Sequence, residues 1–296
     1  MASADLGEVT IEYEIEGDAD GEPMLLVMGL GTQMVAWPLE IRSGLVDAGF
    51  RVIRLDNRDV GLSSKTTGPA PTRTELVKGF ANRRAARSPY VIGDMAADAL
   101  ALLDHLGIER AHLVGVSMGG MIAQQLTIDH QDRVLSLCSI MSNTGNRRHG
   151  AVSPRLLPRV SVRMTGPRPT DQASAEEFGV EAFRTISGPH FNADEVRLMV
   201  RSALERDANP LATTRQLLAI SASPDRTAAL AGVHVPTLVI HGLADQLVLP
   251  SGGVATARAI PGSRLLMFPD MAHDLPAPRR AEIVEAITAN ARRALR

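Results

Sequence analysis

Residues 9–15, Val-Thr-Ile-Glu-Tyr-Glu-Ile, alternate apolar and polar side chains, which predicts a half-exposed strand. Short apolar runs at 24–28, 51–55, 111–116, 135–140, 237–241 and 264–268 predict six more strands. The stretches between them carry helical spacing. Residues 38–48 predict a helix that Gly49 stops. Residues 90–106 predict an amphipathic helix with Met95, Leu100, Leu103 and Leu106 near one face. Residues 121–126, 253–259 and 279–295 predict further helices. Strands that alternate with helices imply an α/β fold, a mainly parallel central sheet with helices on both faces. Ligands of such sheets bind beyond the carboxyl ends of the strands, so the loops leaving those ends are where chemistry is expected.

The alternation stops between residues 143 and 229. Prolines at 154, 158, 167 and 169 break the first part of this stretch. Ser174-x-x-Glu177 and Asn192-x-x-Glu195 then read as capping boxes, each at a helix start. The expected organisation is a core made of residues 1–142 and 230–296, with residues 143–229 inserted as a mostly helical cap. Residues 65–89 read as a long surface loop carrying Pro69, Pro71, Arg83, Arg84 and Arg87, the sharper alternative being a flap near the site.

Composition changes this picture little. A chain of 296 residues with 45% hydrophobic and 22% charged residues is that of a globular enzyme with a sizeable core. A net charge of −2 argues against a nucleic-acid or anionic-membrane partner. Of the 31 basic residues only Lys65 and Lys78 are lysines, a bias that reads as base composition and not as a binding surface. The single cysteine, Cys138, excludes a disulfide within the chain and reads as a small core residue. No apolar segment approaches the ~18 residues of a membrane span. The first residues carry neither a basic start nor an apolar run, so no signal peptide is expected and a cytoplasmic location follows by default.

The chemistry concentrates at Gly115-Val116-Ser117-Met118-Gly119-Gly120. An apolar strand precedes it and a helix follows. A Gly-x-Ser-x-Gly turn between strand and helix is too tight for side chains beside the serine, which then projects its hydroxyl clear of the sheet. A serine hydroxyl is a weak nucleophile and needs a base, and the base needs an orienting acid. Of the eight histidines, His273 sits just after the last strand and before the last helix, on the same rim as the serine. Asp245 follows the strand 237–241 on a neighbouring rim loop. Asp270 and Asp274 flank the histidine in sequence, which does not bring them to its Nδ1, and His241 reads as a turn or packing residue. An oxyanion hole needs two preorganised backbone N–H groups. Met118, the residue after the serine, offers one. The glycine turn Met28-Gly29-Leu30-Gly31 offers the other, assigned to Leu30 with Gly29 and Gly31 as alternatives.

With these residues in place the chain resembles the α/β-hydrolase superfamily over nearly its whole length. The order nucleophile, acid, base matches, as do the turn GVSMGG and the HGLAD and MAH loops. Asp56-Asn-Arg-Asp-Val-Gly-Leu-Ser63 is similar to the superfamily's D-x-R-x-x-G-x-S turn, read as structural, with Arg58 and Asp59 packing loops near the site. VMGLGTQMVAWP and RVIRLDNRDVGLS are similar to a bacterial carboxylesterase/lipase-like subgroup that includes anthracycline (aclacinomycin) methyl esterases. Met28-Gly29 stands where many superfamily members have His-Gly, a methionine that also occurs in the subgroup.

The resemblance implies Ser117, Asp245 and His273 as the catalytic triad, with Leu30 and Met118 as the oxyanion hole. The reaction implied is hydrolysis of a carboxylic ester through an acyl-enzyme, with no cofactor and no metal. Apolar stretches at 198–200 and 217–220, which read mainly as packing on the core, point to a hydrophobic small-molecule ester or thioester of moderate size as the partner. A serine at the turn argues against dehalogenase and epoxide hydrolase chemistry, which use an aspartate there. Carbon–carbon bond hydrolysis, cofactor-free perhydrolysis, acyl transfer, and a ligand-binding protein with a slow triad share the same residues and stay open at this level.

Overall fold

The computed structural model describes residues 1–69, 71–165, 169–207, 209 and 212–295. Pro167, one of the expected breaks, lies outside them. Among the described residues eight strands form one sheet: β1 (Ala2–Asp5), β2 (Thr10–Glu16), β3 (Glu22–Val27), β4 (Phe50–Leu55), β5 (Ala111–Val116), β6 (Val134–Ile140), β7 (Thr237–Gly242) and β8 (Arg264–Phe268). Their spatial order is β1-β2-β4-β3-β5-β6-β7-β8. β1 and β2 are antiparallel, and every pairing from β4 to β8 is parallel. β3 has β4 on one side and β5 on the other, so the chain reverses its direction of travel across the sheet between β3 and β5. A crevice opens at such a point beyond the carboxyl ends.

The period of two along each strand feeds two cores. Leu25, Val27, Ile53, Leu55 and Leu113 pack with residues of α3 (Ile92–His105) and α4 (Met118–Asp129). Met24, Leu26, Val52 and Val114 pack on the other face with Ile41 and Leu45 of α1 (Leu39–Asp47) and Ile283 and Ile287 of α11. Helix α11 spans Arg280–Ala291 and ends in a 3-10 turn, Arg292–Leu295. Cys138 is buried in the second core, where burial pushes its thiol far above the range in which it would ionise.

The stretch 65–89 departs from the expected loop. It contains α2 (Arg73–Ala81), started by Thr72, whose hydroxyl accepts from Glu75 N–H while the Glu75 carboxylate accepts from Thr72 N–H. The box Thr72-x-x-Glu75 starts this helix directly after the prolines at 69 and 71, which end the irregular stretch.

Between β6 and β7 the described residues hold α5 (Leu157–Thr165), α6 (Gln172–Ile186), α7 (Ala193–Arg206), α8 (Ala212–Ala222) and α9 (Thr227–Leu230), and no strand. Asn192 caps α7 at the expected start, accepting from Asp194 and Glu195 N–H, but the Glu195 carboxylate binds Arg280 instead of closing the box. The α6 cap is Asp171, three residues before the expected one, and Ser174 is its partner inside the helix. Helix α10 (Ser251–Ala259) follows β7. No helix among the described residues is long and apolar enough to cross a membrane.

Candidate active site

Strand β5 and helix α4 meet at Ser117, which has φ +56°. A non-glycine residue in this region costs about 1–3 kcal/mol and persists only where its surroundings hold it. They do so here. Ser117 N–H donates to the Ile140 carbonyl at 2.9 Å, and the Ser142 hydroxyl donates to the Ser117 carbonyl at 2.7 Å. The flanking glycines are sterically required. A methyl group on Gly115 would lie 2.1 Å from the Gly119 carbonyl oxygen.

Two further loops converge on the serine. His273, in the loop after β8, has Nε2 2.9 Å from Ser117 Oγ and Nδ1 2.8 Å from Asp245 Oδ2. Asp245, in the loop after β7, is wholly buried and His273 is 8% exposed. The second Asp245 oxygen accepts from Leu247 and Val248 N–H at 2.8 and 2.9 Å. A carboxylate only accepts, so the proton between Asp245 and His273 belongs to Nδ1. That leaves the Nε2 lone pair facing the serine hydroxyl.

The other sequence candidates lie elsewhere. Asp270 is bound by Arg279 at 2.9 Å and His190 at 2.8 Å, which together hold its carboxyl down at about 2. Asp274 receives the N–H groups of Gly188 and Ala272, and burial pushes its carboxyl up despite them. It therefore ties the histidine loop to the α6–α7 connection, as does the bond from His273 N–H to the Ile186 carbonyl at 3.1 Å. His241 donates Nε2–H to the Val248 carbonyl at 2.8 Å, bracing the Asp245 loop from inside. Burial lowers its pKa and favours the neutral ring.

The strand register sets the fourth loop. Val27 of β3 pairs with Gly115 of β5, so residues 28–31 leave the sheet beside the serine turn. A methyl group on Gly29 would lie 3.1 Å from Ser117 Cβ and 3.6 Å from its Oγ. The loop is pinned on several sides. Asn57 donates to the Met28 carbonyl at 3.0 Å, and Thr32 N–H and hydroxyl donate to the carbonyls of Gly29 and Leu30 at 3.3 and 3.1 Å. Gly31 N–H donates to Gln216 Oε1 at 2.7 Å. Met118, the residue after the serine, opens α4.

The turn after β4 anchors the α7–α8 region. Asp56 and Asp59 are buried and receive Arg206 and Arg215 from α7 and α8. Arg58 forms two 2.6 Å bonds with Asp98 of α3 and stacks over Tyr90, whose hydroxyl donates to Asp59 at 2.6 Å. Gln216, Arg206, Arg215, Asn57 and Ser142 were not legible as site residues, because no local motif marks their partners. No group of three or more His, Cys, Asp or Glu among the described residues could hold a metal ion.

Comparison with known proteins agrees with this architecture. Residues 22–277 match the family model described as alpha/beta hydrolase fold. The chain is similar to rhodomycin D methylesterase DnrP of Streptomyces peucetius, 31% identical over 309 residues covering 97% of this chain and 96% of the relative. Among solved structures it is similar to a thermophilic esterase from Thermogutta terrifontis, with TM-score 0.69, 25% identity, and 97% and 94% of the two chains covered. An enol-lactonase from Burkholderia xenovorans shares the fold at TM-score 0.72, with 23% identity and 99% of each chain covered.

Proposed function

The chain belongs to the alpha/beta hydrolase fold family and is a hydrolase, and from that premise we propose that it cleaves a carboxylic ester through an acyl-enzyme on Ser117. The observation that carries this reading is the continuous hydrogen-bonded chain from Asp245 through His273 to Ser117, assembled from three separate rim loops.

In this mechanism Ser117 Oγ attacks the ester carbonyl carbon while His273 Nε2 takes the hydroxyl proton. Asp245 keeps Nδ1–H in place and stabilises the imidazolium, without itself becoming protonated. The carbonyl oxygen becomes an oxyanion and accepts from the N–H groups of Leu30 and Met118. Each such donor contributes about 3 kcal/mol to the transition state. The Leu30 assignment gains support from Gly31, whose N–H is already taken by Gln216. The tetrahedral adduct collapses, and His273 returns the proton to the leaving alcohol. Water then gives a proton to His273 and attacks the acyl carbon, and His273 passes that proton to Ser117 Oγ as the acid departs, restoring the free enzyme.

The substrate side of the proposal is a small-molecule ester of a small alcohol. It draws on the name of the relative, a methylesterase that this chain matches over nearly its full length. Residues 143–229 act as the cap over the core formed by 1–142 and 230–296. The hydrogen bonds from that segment to the loops after β3, β4 and β8 support this division.

The test is pre-steady-state cleavage of p-nitrophenyl butyrate by the purified protein beside Ser117→Ala. A burst stoichiometric with enzyme, followed by turnover and absent from the variant, is expected. No burst, together with no labelling of Ser117 by a fluorophosphonate probe, would overturn the reading.

A further inference from the structure

We propose that Gln216 is a positioning residue for the oxyanion loop, so that the segment between β6 and β7 sets the geometry of the reaction as well as covering it. The proposal rests on the ester-hydrolase reading above and deepens it.

Gln216 lies on α8 and is wholly buried. Its side-chain amide has a demand at each end. Oε1 accepts from Gly31 N–H at 2.7 Å, and Nε2 donates to the Arg58 carbonyl at 2.9 Å. One partner is a donor and the other an acceptor, so a single orientation of the amide satisfies both. A glutamine held this way joins the glycine turn after β3 to the turn after β4.

The bond to Gly31 acts on Leu30 through backbone geometry. Gly31 N–H and the Leu30 carbonyl belong to one rigid peptide plane. Gln216 holds the N–H end of that plane and the Thr32 hydroxyl holds the carbonyl end. The preceding plane carries Leu30 N–H, and Thr32 N–H holds its carbonyl, that of Gly29. With both planes pinned, the direction of Leu30 N–H is set. Gly31 has φ +64°, and a methyl group on it would lie 2.4 Å from Thr213 Oγ1, so the start of α8 sits directly on the turn.

A second tether acts from the α7 end of the same segment. Gln33, which follows the oxyanion loop, donates to the carbonyls of Ala203 and Asp207 at 2.8 and 3.0 Å and accepts from Arg206 at 3.0 Å. The loop is thus held between the two helices and the turn after β4.

Gln216→Met removes both hydrogen bonds at nearly constant volume. Gln216→Glu keeps an acceptor for Gly31 but sets a carboxylate oxygen against the Arg58 carbonyl. A displacement of an oxyanion donor costs up to ~100-fold in rate. The expected result for Gln216→Met is a 10- to 100-fold lower kcat per titrated active site. Its KM should stay within about twofold, and a boronic acid transition-state analogue should bind more weakly by the same factor as kcat. Gln216→Glu should fall between this variant and the wild type, and the pH dependence set by His273 should not move. Thermal unfolding of each variant checks that the fold is retained.

The rate of Ser117 phosphonylation by a fluorophosphonate separates the two proposals, because it uses the oxyanion hole without requiring ester turnover. A wild type that neither hydrolyses esters nor takes the label would sink the ester reading, while a slower label on Gln216→Met than on the wild type supports the positioning role whether or not esters turn over. Unchanged kcat, labelling rate and boronate affinity in folded Gln216→Met, or a change confined to KM, would overturn it.

Discussion

Gly119 in the first turn of α4 lies against Val27 at the end of β3, so close that a methyl group on the glycine would be 2.0 Å from the Val27 carbonyl oxygen. This contact lets the helix start immediately after Ser117 and brings the glycine turn after β3 to the serine. The obstacle is backbone on both sides, so nothing can swing away. Gly119→Ala is expected to destabilise the protein by about 3 kcal/mol or more, at the upper end of overpacking costs. Urea unfolding would measure it, and a change below ~1 kcal/mol would contradict the packing described here.

Asp245→Asn should separate orientation from bulk. The amide can still accept from Leu247 and Val248 N–H, so the loop should keep its shape. Turned that way, it offers His273 a donor in place of an acceptor, which favours the tautomer with its proton on Nε2. That tautomer cannot take the proton of Ser117. The expected loss in kcat is about 10⁴-fold, by analogy with other Ser-His-Asp enzymes. Active-site-titrated kinetics on p-nitrophenyl butyrate would read it, and a loss under ~100-fold would speak against Asp245 as the orienting acid.

Acid should weaken the fold through two buried histidines. Burial lowers the pKa of both His112 and His241 from the ordinary ~6.5, against the pull of Glu22 on the first and of the Val248 carbonyl on the second. The unfolded chain therefore binds these protons at higher pH than the folded protein does. Their contribution is complete above about pH 6.5 and is lost as pH falls from there through the lowered folded values. Tm should decline below about pH 6.5. His241→Gln, whose amide can still donate to the Val248 carbonyl, should show a shallower decline. Equal acid slopes in the two proteins would exclude His241 as a source.

The anchor between α7 and the turn after β4 is a buried ion pair. Asp56 is fully buried and accepts from Met34 N–H at 2.7 Å and Leu62 N–H at 3.2 Å, besides Arg206. Removing one partner of a buried pair costs about 3–5 kcal/mol because the other charge stays behind. Arg206→Met should lose about 3 kcal/mol, and Arg206→Met with Asp56→Asn should recover part of it. A double-mutant cycle in urea would test this. Additive losses would show that the two side chains are not coupled.

Local rules determined much of this protein from its sequence alone. Apolar periodicity has a range of a few residues, and it marked seven of the eight strands. The exception, β1, has no apolar pattern of its own and is extended because Ala2–Asp5 pairs with β2. The glycine spacing around Ser117 was legible for the same reason, since the steric demand of the turn falls on adjacent residues. Ser174-x-x-Glu177 fits the box pattern better than Asp171-x-x-Ser174, so the local rule points to Ser174, while the helix starts one turn earlier at Asp171.

Only the tertiary structure decided what holds the glycine turn after β3. Gln216 is 185 residues from Gly31, and Arg206 is 150 residues from Asp56. A glutamine on a helix carries no sign of the one amide it will meet. Hydrogen bonds of this kind are specific in space and featureless along the chain, so they exist only once the sheet has brought its rim loops under the helices.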